Sequence, residues 1–178
     1  MLSSFVYSEQ YKVPASINFD SVIILIGDVL TTTGKTMTRL YKQDYLIMDS
    51  MYRSEFRTNS SDSLITDSAA AATAFASGCK IVSEMLGILS PKKNEFSSIF
   101  HSVNETRCIV EFEKPAVTIL EAAKLKGKSV GLVSTSEVQH ATPAGFSAHI
   151  SDRDDMAQIA KQQVYQDLLH RRAPGGEL

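Results

Sequence analysis

A helical pattern that leads directly into an apolar strand pattern constrains the fold of this chain more than any other feature. Val117 to Lys126 has the periodicity of an amphipathic helix, and Gly127 follows it as a natural C-terminal stop. Ser129 to Ser134 then has the composition of a buried strand. Because a helix and a strand joined by so short a link form the closing half of a βαβ unit, the sequence predicts an α/β fold with a mostly parallel sheet.

An earlier run of β-branched and leucine residues favours the same fold class. Val22 to Ile26 contains no polar residue, which is typical of a strand buried on both faces of a parallel sheet. Two further helices are predicted over Asp67–Gly78 and from Asp154 to about Arg171, and a weaker helical pattern covers part of Arg39–Tyr52. Residues 80–113 lack a regular pattern, and we interpret them as a long excursion.

The composition excludes several classes of protein. Eighteen Lys+Arg oppose 20 Asp+Glu, so the chain lacks the basic surface expected of a nucleic-acid-binding protein. Its longest strongly apolar run, Val22–Ile26, is far shorter than the roughly 20 residues that span a bilayer, and no signal peptide is visible. Cys79 and Cys108 are too few for a disulfide framework or a Cys-based zinc site. They can form one bridge, but we expect two free thiols.

Polar residues that can carry chemistry follow the predicted strands and precede the predicted helices. Asp28 follows the first strand, His140 and Thr142 follow the second, Ser68 opens a helix, and Arg153 directly precedes another. Ligands of open α/β sheets bind beyond the carboxyl ends of the strands, so we expect these residues to share one rim. A carboxylate, a hydroxyl at a helix N-terminus and a guanidinium together favour an anionic, phosphorylated substrate.

Each of these residues also has a purely structural interpretation. Asp67 or Ser68 alone is an ordinary helix N-cap, and Asp28 alone is either a turn carboxylate or a hard oxygen ligand for a metal. A nucleotide-binding P-loop is a further alternative, because Thr31–Thr36 contains Gly-Lys-Thr after an apolar run. That motif requires four residues between its glycines, whereas six separate Gly27 from Gly34, so nucleotide binding is the weakest hypothesis.

Taken together, these segments resemble the alkaline phosphatase family. The most specific likeness is Thr66–Gly78, which reads TDSAAAATAFASG and resembles the phosphoserine signature of the family. The other resembling segments are Val22–Asp28, Thr118–Val133, Gln139–Ala144 and His149–Arg153. The resemblance covers most of residues 20–165, apart from an irregular excursion at about 95–112.

The resemblance implies a three-layer sandwich with a mostly parallel central sheet, truncated so that residues 1–178 form a single partial domain. It implies zinc and magnesium as cofactors and a phosphate monoester as substrate. Members of the family are often homodimeric, and they are usually exported, vacuolar or membrane-anchored. The family's remaining metal ligands, a Glu and a set of Asp and His, lie in a C-terminal half that this sequence does not include.

The resemblance also assigns metal-site roles by position. Ser68 would be the nucleophile that becomes phosphoserine, and its oxygen would face one zinc. Asp28 would bridge that zinc and the magnesium, and Thr142 would be a magnesium ligand. His140 stands where the family places an Asp or a His near the magnesium.

Arg153 would hold two phosphate oxygens, with Asp67 helping to orient it. The sequence hypothesis is therefore a metal-dependent phosphomonoesterase that acts through Ser68. The alternative hypothesis is a non-catalytic fragment or paralogue that keeps part of the fold. Two glycines that follow the bridging aspartate in the family are replaced here by Val29 and Thr31, which removes backbone freedom beside the expected metals.

Overall fold

The structure of the chain is a computed structural model that describes residues 21–27, 31–51, 56–91, 108 and 110–165. The chain divides into two compact units, Met1–Ser54 and Glu55–Leu178. No helix within the described ranges is both long enough and apolar enough to cross a membrane.

The described residues of the first unit form one α-helix and one short 3₁₀ helix. Helix α1 spans Thr32–Lys42, and it begins where the Thr31 hydroxyl accepts a hydrogen bond from the Gly34 amide at 3.2 Å. The 3₁₀ helix covers Ile47–Asp49, and its Asp49 carboxylate forms an ion pair with Arg39 of α1. Because the Gly34 amide is taken by Thr31, α1 gives the P-loop hypothesis no support.

Neither of the strands predicted at 22–26 and 129–134 is formed. These segments have no regular secondary structure, and they pair with no other described residue in a ladder. Ile23, Leu25 and Val133 are 82%, 89% and 101% exposed. The prediction is wrong because apolar composition indicates burial only, whereas a parallel strand also needs hydrogen-bonded neighbours and covered faces. The described residues supply neither.

The second unit is built around helix α2, which spans Ser68–Ser77. The elements that follow it are β1 (Ile88–Leu89), β2 (Lys114–Pro115), α3 (Ile119–Leu125), α4 (Ala141–Ala144) and α5 (Met156–Tyr165). Strands β1 and β2 pair antiparallel with Ile88 opposite Pro115, and an isolated bridge joins Leu86 to Ile150. The only ladder among the described residues is therefore short and antiparallel.

The caps of α2 are those that the sequence predicts. The Asp67 carboxylate accepts hydrogen bonds from the amides of Ala69 and Ala70 at 3.0 and 3.1 Å, which satisfies donors that a helix start leaves unpaired. Gly78 ends the helix in the left-handed conformation with φ +76°. The predicted helix over Asp67–Gly78 is confirmed.

The cap of α3 is a reciprocal pair of hydrogen bonds. The Thr118 hydroxyl accepts from the Glu121 amide, and the Glu121 carboxylate accepts from the Thr118 amide at 2.9 Å. The predicted helix is therefore present, although it is shorter than Val117–Lys126. The third predicted helix is observed as α5, and the residues beyond Tyr165 lie outside the described range.

Residues 80–90 contribute much of the core, contrary to their interpretation as part of an excursion. The buried hydrophobic residues of this segment are Ile81, Met85, Leu86 and Leu89. They lie in two apolar clusters, one containing Ala70 and the other Ala69 of α2. The pattern was missed because these apolar residues are separated by turn residues and follow neither a helical nor a strand period. Most of the 95–112 excursion lies outside the described residues.

Helices α2 and α4 are in backbone-level contact at Gly145, the residue that ends α4. A Cβ atom at Gly145 would lie 2.6 Å from the Cβ atom of Ala72, closer than such atoms approach. Small residues on both sides of this contact, Ala69, Ala141 and Ala144, are fully or almost fully buried. The close approach of the two helices therefore requires glycine at position 145 and alanine at its neighbours.

Buried polar contacts connect the elements of the second unit. The Thr73 hydroxyl of α2 accepts from the Gly87 amide at 2.9 Å. The Thr118 hydroxyl donates to the Phe146 carbonyl, also at 2.9 Å. The His149 ring lies 2.7 Å from the Glu121 carboxylate through Nε2 and 2.7 Å from the Gly87 carbonyl through Nδ1. Hydrogen bonds of buried groups fix geometry because leaving one unpaired is costly.

A disulfide joins Cys79 and Cys108, which corrects the expectation of two free thiols. The sulfur atoms are bonded, and the Cα atoms are 5.6 Å apart. Cys79 directly follows the glycine that ends α2, so the bridge ties the C-terminal end of this helix to the region of the excursion. Sequence spacing alone could not show that the two cysteines meet, because pairing depends on the path of the chain between them.

Removing this disulfide should lower the stability of the second unit. A bridge across 29 residues restricts the unfolded chain, and the loop-closure relation gives a contribution of about 3–4 kcal/mol. The double variant Cys79→Ser/Cys108→Ser should show that loss in free energy of unfolding by urea denaturation. Titration of free thiols under denaturing, non-reducing conditions provides the control: two reactive thiols in the wild-type chain would contradict the bridge.

Candidate functional site

Ser68 is the first residue of helix α2, directly after its cap. The side chain is half-buried, and its hydroxyl makes no hydrogen bond with any residue that the structure describes. At this position the hydroxyl lies at the positive end of the helix dipole, where negative charge is stabilised. The sequence folds this way because Asp67 accepts the first amides and the following alanines propagate the helix.

Asp67 links the start of α2 to Arg153. Its Oδ2 atom accepts from the Ala69 amide and also from Nη1 of Arg153 at 3.1 Å. Both side chains of this ion pair are largely shielded from water, at 16% exposure for Arg153 and 15% for Asp67. The structure thus brings together three of the residues that the sequence singled out: Asp67, Ser68 and Arg153.

A second carboxylate faces Arg153 from the turn that contains Glu84. Oε2 of Glu84 lies 3.8 Å from Nε of Arg153, and the Glu84 carbonyl accepts from the Arg153 amide at 3.0 Å. The Nη2 amino group of Arg153 makes no hydrogen bond with the described residues. Among the described residues, the interactions of the Arg153 side chain are therefore those of Nη1 with Asp67 and of Nε with Glu84.

Glu84 has a backbone conformation that is unusual for a residue with a side chain. Its φ angle is +67°, in the left-handed region that glycine adopts without strain. For other residues this conformation costs about 1–2 kcal/mol, and it persists only where surrounding contacts determine it. The hydrogen bond from Arg153 to the Glu84 carbonyl is one such contact.

Asp62 provides the other anchor of this turn. Its Oδ1 atom accepts from the backbone amide and the hydroxyl of Ser83 at 2.9 and 3.0 Å, and from the Ser60 hydroxyl at 2.8 Å. Burial raises the pKa of the Asp62 carboxyl, but these hydrogen bonds outweigh it, so the pKa lies below its ordinary value. The charged form of Asp62 is thus favoured in the folded chain.

Thr142 and His140 lie at the start of α4. His140 is the N-cap residue, although its side chain makes no capping hydrogen bond, and Thr142 is in the first turn. Both are half-buried. Helix α4 packs against α2 through Ala69, Ala141 and Ala144. Thr142 and Ser68 therefore lie in the first turns of two helices that contact each other.

The described residues do not by themselves form a metal centre. Asp28, the expected bridging ligand, lies outside the described residues, and no group of three His, Cys, Asp or Glu side chains within them could hold a metal. Both carboxylate oxygens of Asp67 are already hydrogen-bonded, as acceptors from α2 and Arg153. The remaining potential ligands near α2 and α4 are the side chains of Ser68, Thr142 and His140. They do not complete a zinc site, which usually takes at least three strong protein ligands.

Sequence reasoning missed Glu84 and Asp62. Both lie in segments without a helical or strand period, and neither belongs to a motif. The only available signal was the cluster of Ser and Asp residues at 60–63, which is typical of side chains that hydrogen-bond nearby backbone. Nothing in the sequence alone indicates that this cluster meets the turn at Ser83.

Comparison with known proteins identifies one family. The sequence model of the family described as alkaline phosphatase matches residues 20–173. The alkaline phosphatase of Schizosaccharomyces pombe is 39% identical over 157 residues, which is 84% of this chain and 26% of the relative. The chain therefore spans about a quarter of the length of that curated relative.

Solved structures give the same result for the fold. The cold-active alkaline phosphatase of Shewanella sp. matches with a TM-score of 0.59 and 26% identity, over 78% of this chain and 32% of that one. A mutant alkaline phosphatase of the Antarctic bacterium TAB5, with Mg bound in its M3 site, matches with a TM-score of 0.53 and 25% identity, over 73% of this chain and 32% of that one. The predicted fold class, α/β of the alkaline phosphatase type, is confirmed.

The low pKa of Asp62 predicts a specific dependence of stability on pH. A carboxyl whose folded pKa lies below its unfolded value of about 3.9 stabilises the chain above that pH and loses the contribution as the pH falls through the folded pKa. Asp62→Asn should therefore be less stable than wild type at pH 7, and the difference should shrink below about pH 4. Urea unfolding from pH 7 to pH 3 measures this, with Asp154→Asn, an exposed carboxylate, as control. A difference that stays constant with pH would contradict the prediction.

Proposed function

Since this chain belongs to the alkaline phosphatase family, we propose that it carries the phosphate-binding and nucleophilic part of a phosphate monoester hydrolase. The observation that supports this most directly is the Asp67 carboxylate, which caps the helix that begins at Ser68 and pairs with Arg153. A nucleophile and a phosphate-binding cation are thereby held at one place. Positioning of this kind supplies much of the catalysis of phosphoryl transfer.

In the proposed reaction the Nη2 group of Arg153 binds the phosphate group, and the positive end of the α2 dipole stabilises the negative charge of that group. The Ser68 oxygen attacks phosphorus, a bond forms between them, and the bond from phosphorus to the alcohol oxygen breaks. The proton lost by the Ser68 hydroxyl leaves with the alcohol. Water then hydrolyses the phosphoserine, which restores the Ser68 hydroxyl and releases inorganic phosphate. Asp67 keeps the Arg153 guanidinium beside Ser68 throughout.

Zinc and magnesium are the cofactors that we propose for the hydrolase activity. The solved relative with bound Mg supports a metal, and Asp28, Ser68 and Thr142, with His140 nearby, are the residues proposed to contribute. Because the described residues do not complete a centre, further ligands would have to come from elsewhere. Homodimerisation and an exported, vacuolar or membrane-anchored location stay predictions.

A non-catalytic fragment or paralogue is the second candidate function. The observation that favours it is the absence of a three-ligand metal group within the described residues. A chain of this kind would bind phosphate through Arg153 without hydrolysing esters. The two candidates differ in turnover and agree in phosphate binding.

Ser68→Ala should abolish the phosphoserine intermediate. In a form of the protein that hydrolyses p-nitrophenyl phosphate, the substitution should lower kcat/KM by about 10²–10⁴, which is the usual effect of removing a nucleophile. Acid quenching followed by peptide mass spectrometry should find phosphate on Ser68 in the wild type. Ser77→Ala, at the other end of α2, is the matched control. Near wild-type turnover in Ser68→Ala would disprove the assignment.

Arg153→Ala should weaken the binding of inorganic phosphate by about 10- to 100-fold, because charge-assisted hydrogen bonds are lost. Arg153→Lys keeps the charge but not the planar guanidinium, so its affinity for phosphate should lie between those of the wild type and Arg153→Ala. Zinc content, measured by plasma mass spectrometry, should not change. Loss of zinc together with phosphate affinity would instead give Arg153 a structural role.

The 178 residues alone should show little phosphatase activity. Their donors near Ser68 favour weak, oxygen-rich binding of Mg²⁺ over two tightly held zinc ions. Exposed apolar segments such as Val22–Ile26 should also make the isolated chain prone to association. Hydrolysis of p-nitrophenyl phosphate with added Zn²⁺ and Mg²⁺ is the test, and a soluble monomer with two bound zinc ions and full turnover would overturn the expectation.

A further inference from the structure

The Arg153 guanidinium is held between two carboxylates that contact different nitrogen atoms. Asp67 accepts from Nη1 at 3.1 Å, and Glu84 lies 3.8 Å from Nε. The two differ in exposure, because the Asp67 side chain is 15% exposed and the Glu84 side chain 63%. Asp67 is also fixed by α2, whereas the only ion pair of Glu84 in the described structure is the one with Arg153.

We propose that Glu84 lowers the phosphate affinity of the site, because its carboxylate competes with the phosphate group for the Arg153 guanidinium. This inference rests on the proposed function of Arg153. It adds to that function a residue, Glu84, that opposes phosphate binding and belongs to none of the sequence motifs.

The charges of the site give the direction of the effect. Asp67 alone balances the positive charge of Arg153, so the Glu84 carboxylate makes the group of three side chains net negative. A phosphate dianion approaching Nη2 is therefore repelled by Glu84 and must compete with it for the guanidinium. The weakened attraction lowers affinity for phosphate, both in the ester substrate and as the free product.

The backbone around Glu84 explains why its carboxylate is kept in place yet can be displaced. Asp62 holds the amide of Ser83, and the Arg153 amide donates to the Glu84 carbonyl, so the turn is anchored from two sides. Only the backbone is anchored in this way. The exposed side chain can rotate away from Arg153 when an anion binds, at little cost in packing.

Titration of the 178-residue chain with inorganic phosphate in a calorimeter tests the proposal. Glu84→Gln removes the charge and keeps the shape, and it should bind phosphate about three- to tenfold more tightly than wild type at low salt. Glu113→Gln, an exposed carboxylate on the segment that leads into β2, makes the same change in net charge and should bind as wild type does. Glu84→Gly, which suits the φ of +67°, should behave as Glu84→Gln does.

Salt separates an electrostatic role from a structural one. The gain in Glu84→Gln should shrink to less than about twofold at 1 M NaCl, where the screening length is about 3 Å. A change in the shape of the site would persist at high salt. Unchanged or weaker phosphate binding in Glu84→Gln at low salt would overturn the proposal, as would an equal gain in Glu113→Gln.

Arg153→Ala distinguishes failure of this inference from failure of the proposed function. If Arg153→Ala loses phosphate affinity and Glu84→Gln does not gain it, only the role of Glu84 is overturned. If Arg153→Ala binds phosphate as wild type does, or if neither wild type nor Glu84→Gln binds it measurably, Arg153 is not a phosphate ligand and both proposals fall.

Discussion

The carboxylate of Asp67 is the contact on which the candidate site depends. One oxygen pairs with the Ala70 amide, and the other is shared between the Ala69 amide and Arg153, a residue far along the chain. The same group thus begins the helix that carries Ser68 and fixes the guanidinium beside it.

Polar side chains, more than sheet hydrogen bonds, connect the elements around this contact. Thr73 reaches from α2 to Gly87, and His149 lies between Glu121 and the same glycine. The described ladder is only two residues long on each side, so these contacts, with the two apolar clusters and the disulfide, define the relative positions of the helices. Buried hydrogen bonds suit this task because they are directional, whereas apolar burial is not.

Local features of the second unit could be predicted from the sequence, and contacts between distant segments could not. The start of α2 at Ser68 and its end at Gly78 follow from capping chemistry, which acts within one turn of the chain. The strand at Val22–Ile26 was predicted wrongly because a strand depends on partners that a local pattern does not reveal. The disulfide and the position of Glu84 beside Arg153 were missed for the same reason, since both result from the path of the chain.

The close contact of Gly145 with Ala72 has a consequence for motion. Alanine and glycine have no side-chain rotamers, so a helix contact made of them cannot adjust by changing rotamers. Close packing of this kind also resists sliding of one helix along the other. Helices α2 and α4 should therefore fluctuate together as a rigid body. Thermal motion near Ser68 and Thr142 would then move both residues in concert, which keeps the separation between them nearly constant on the timescale of side-chain rotation.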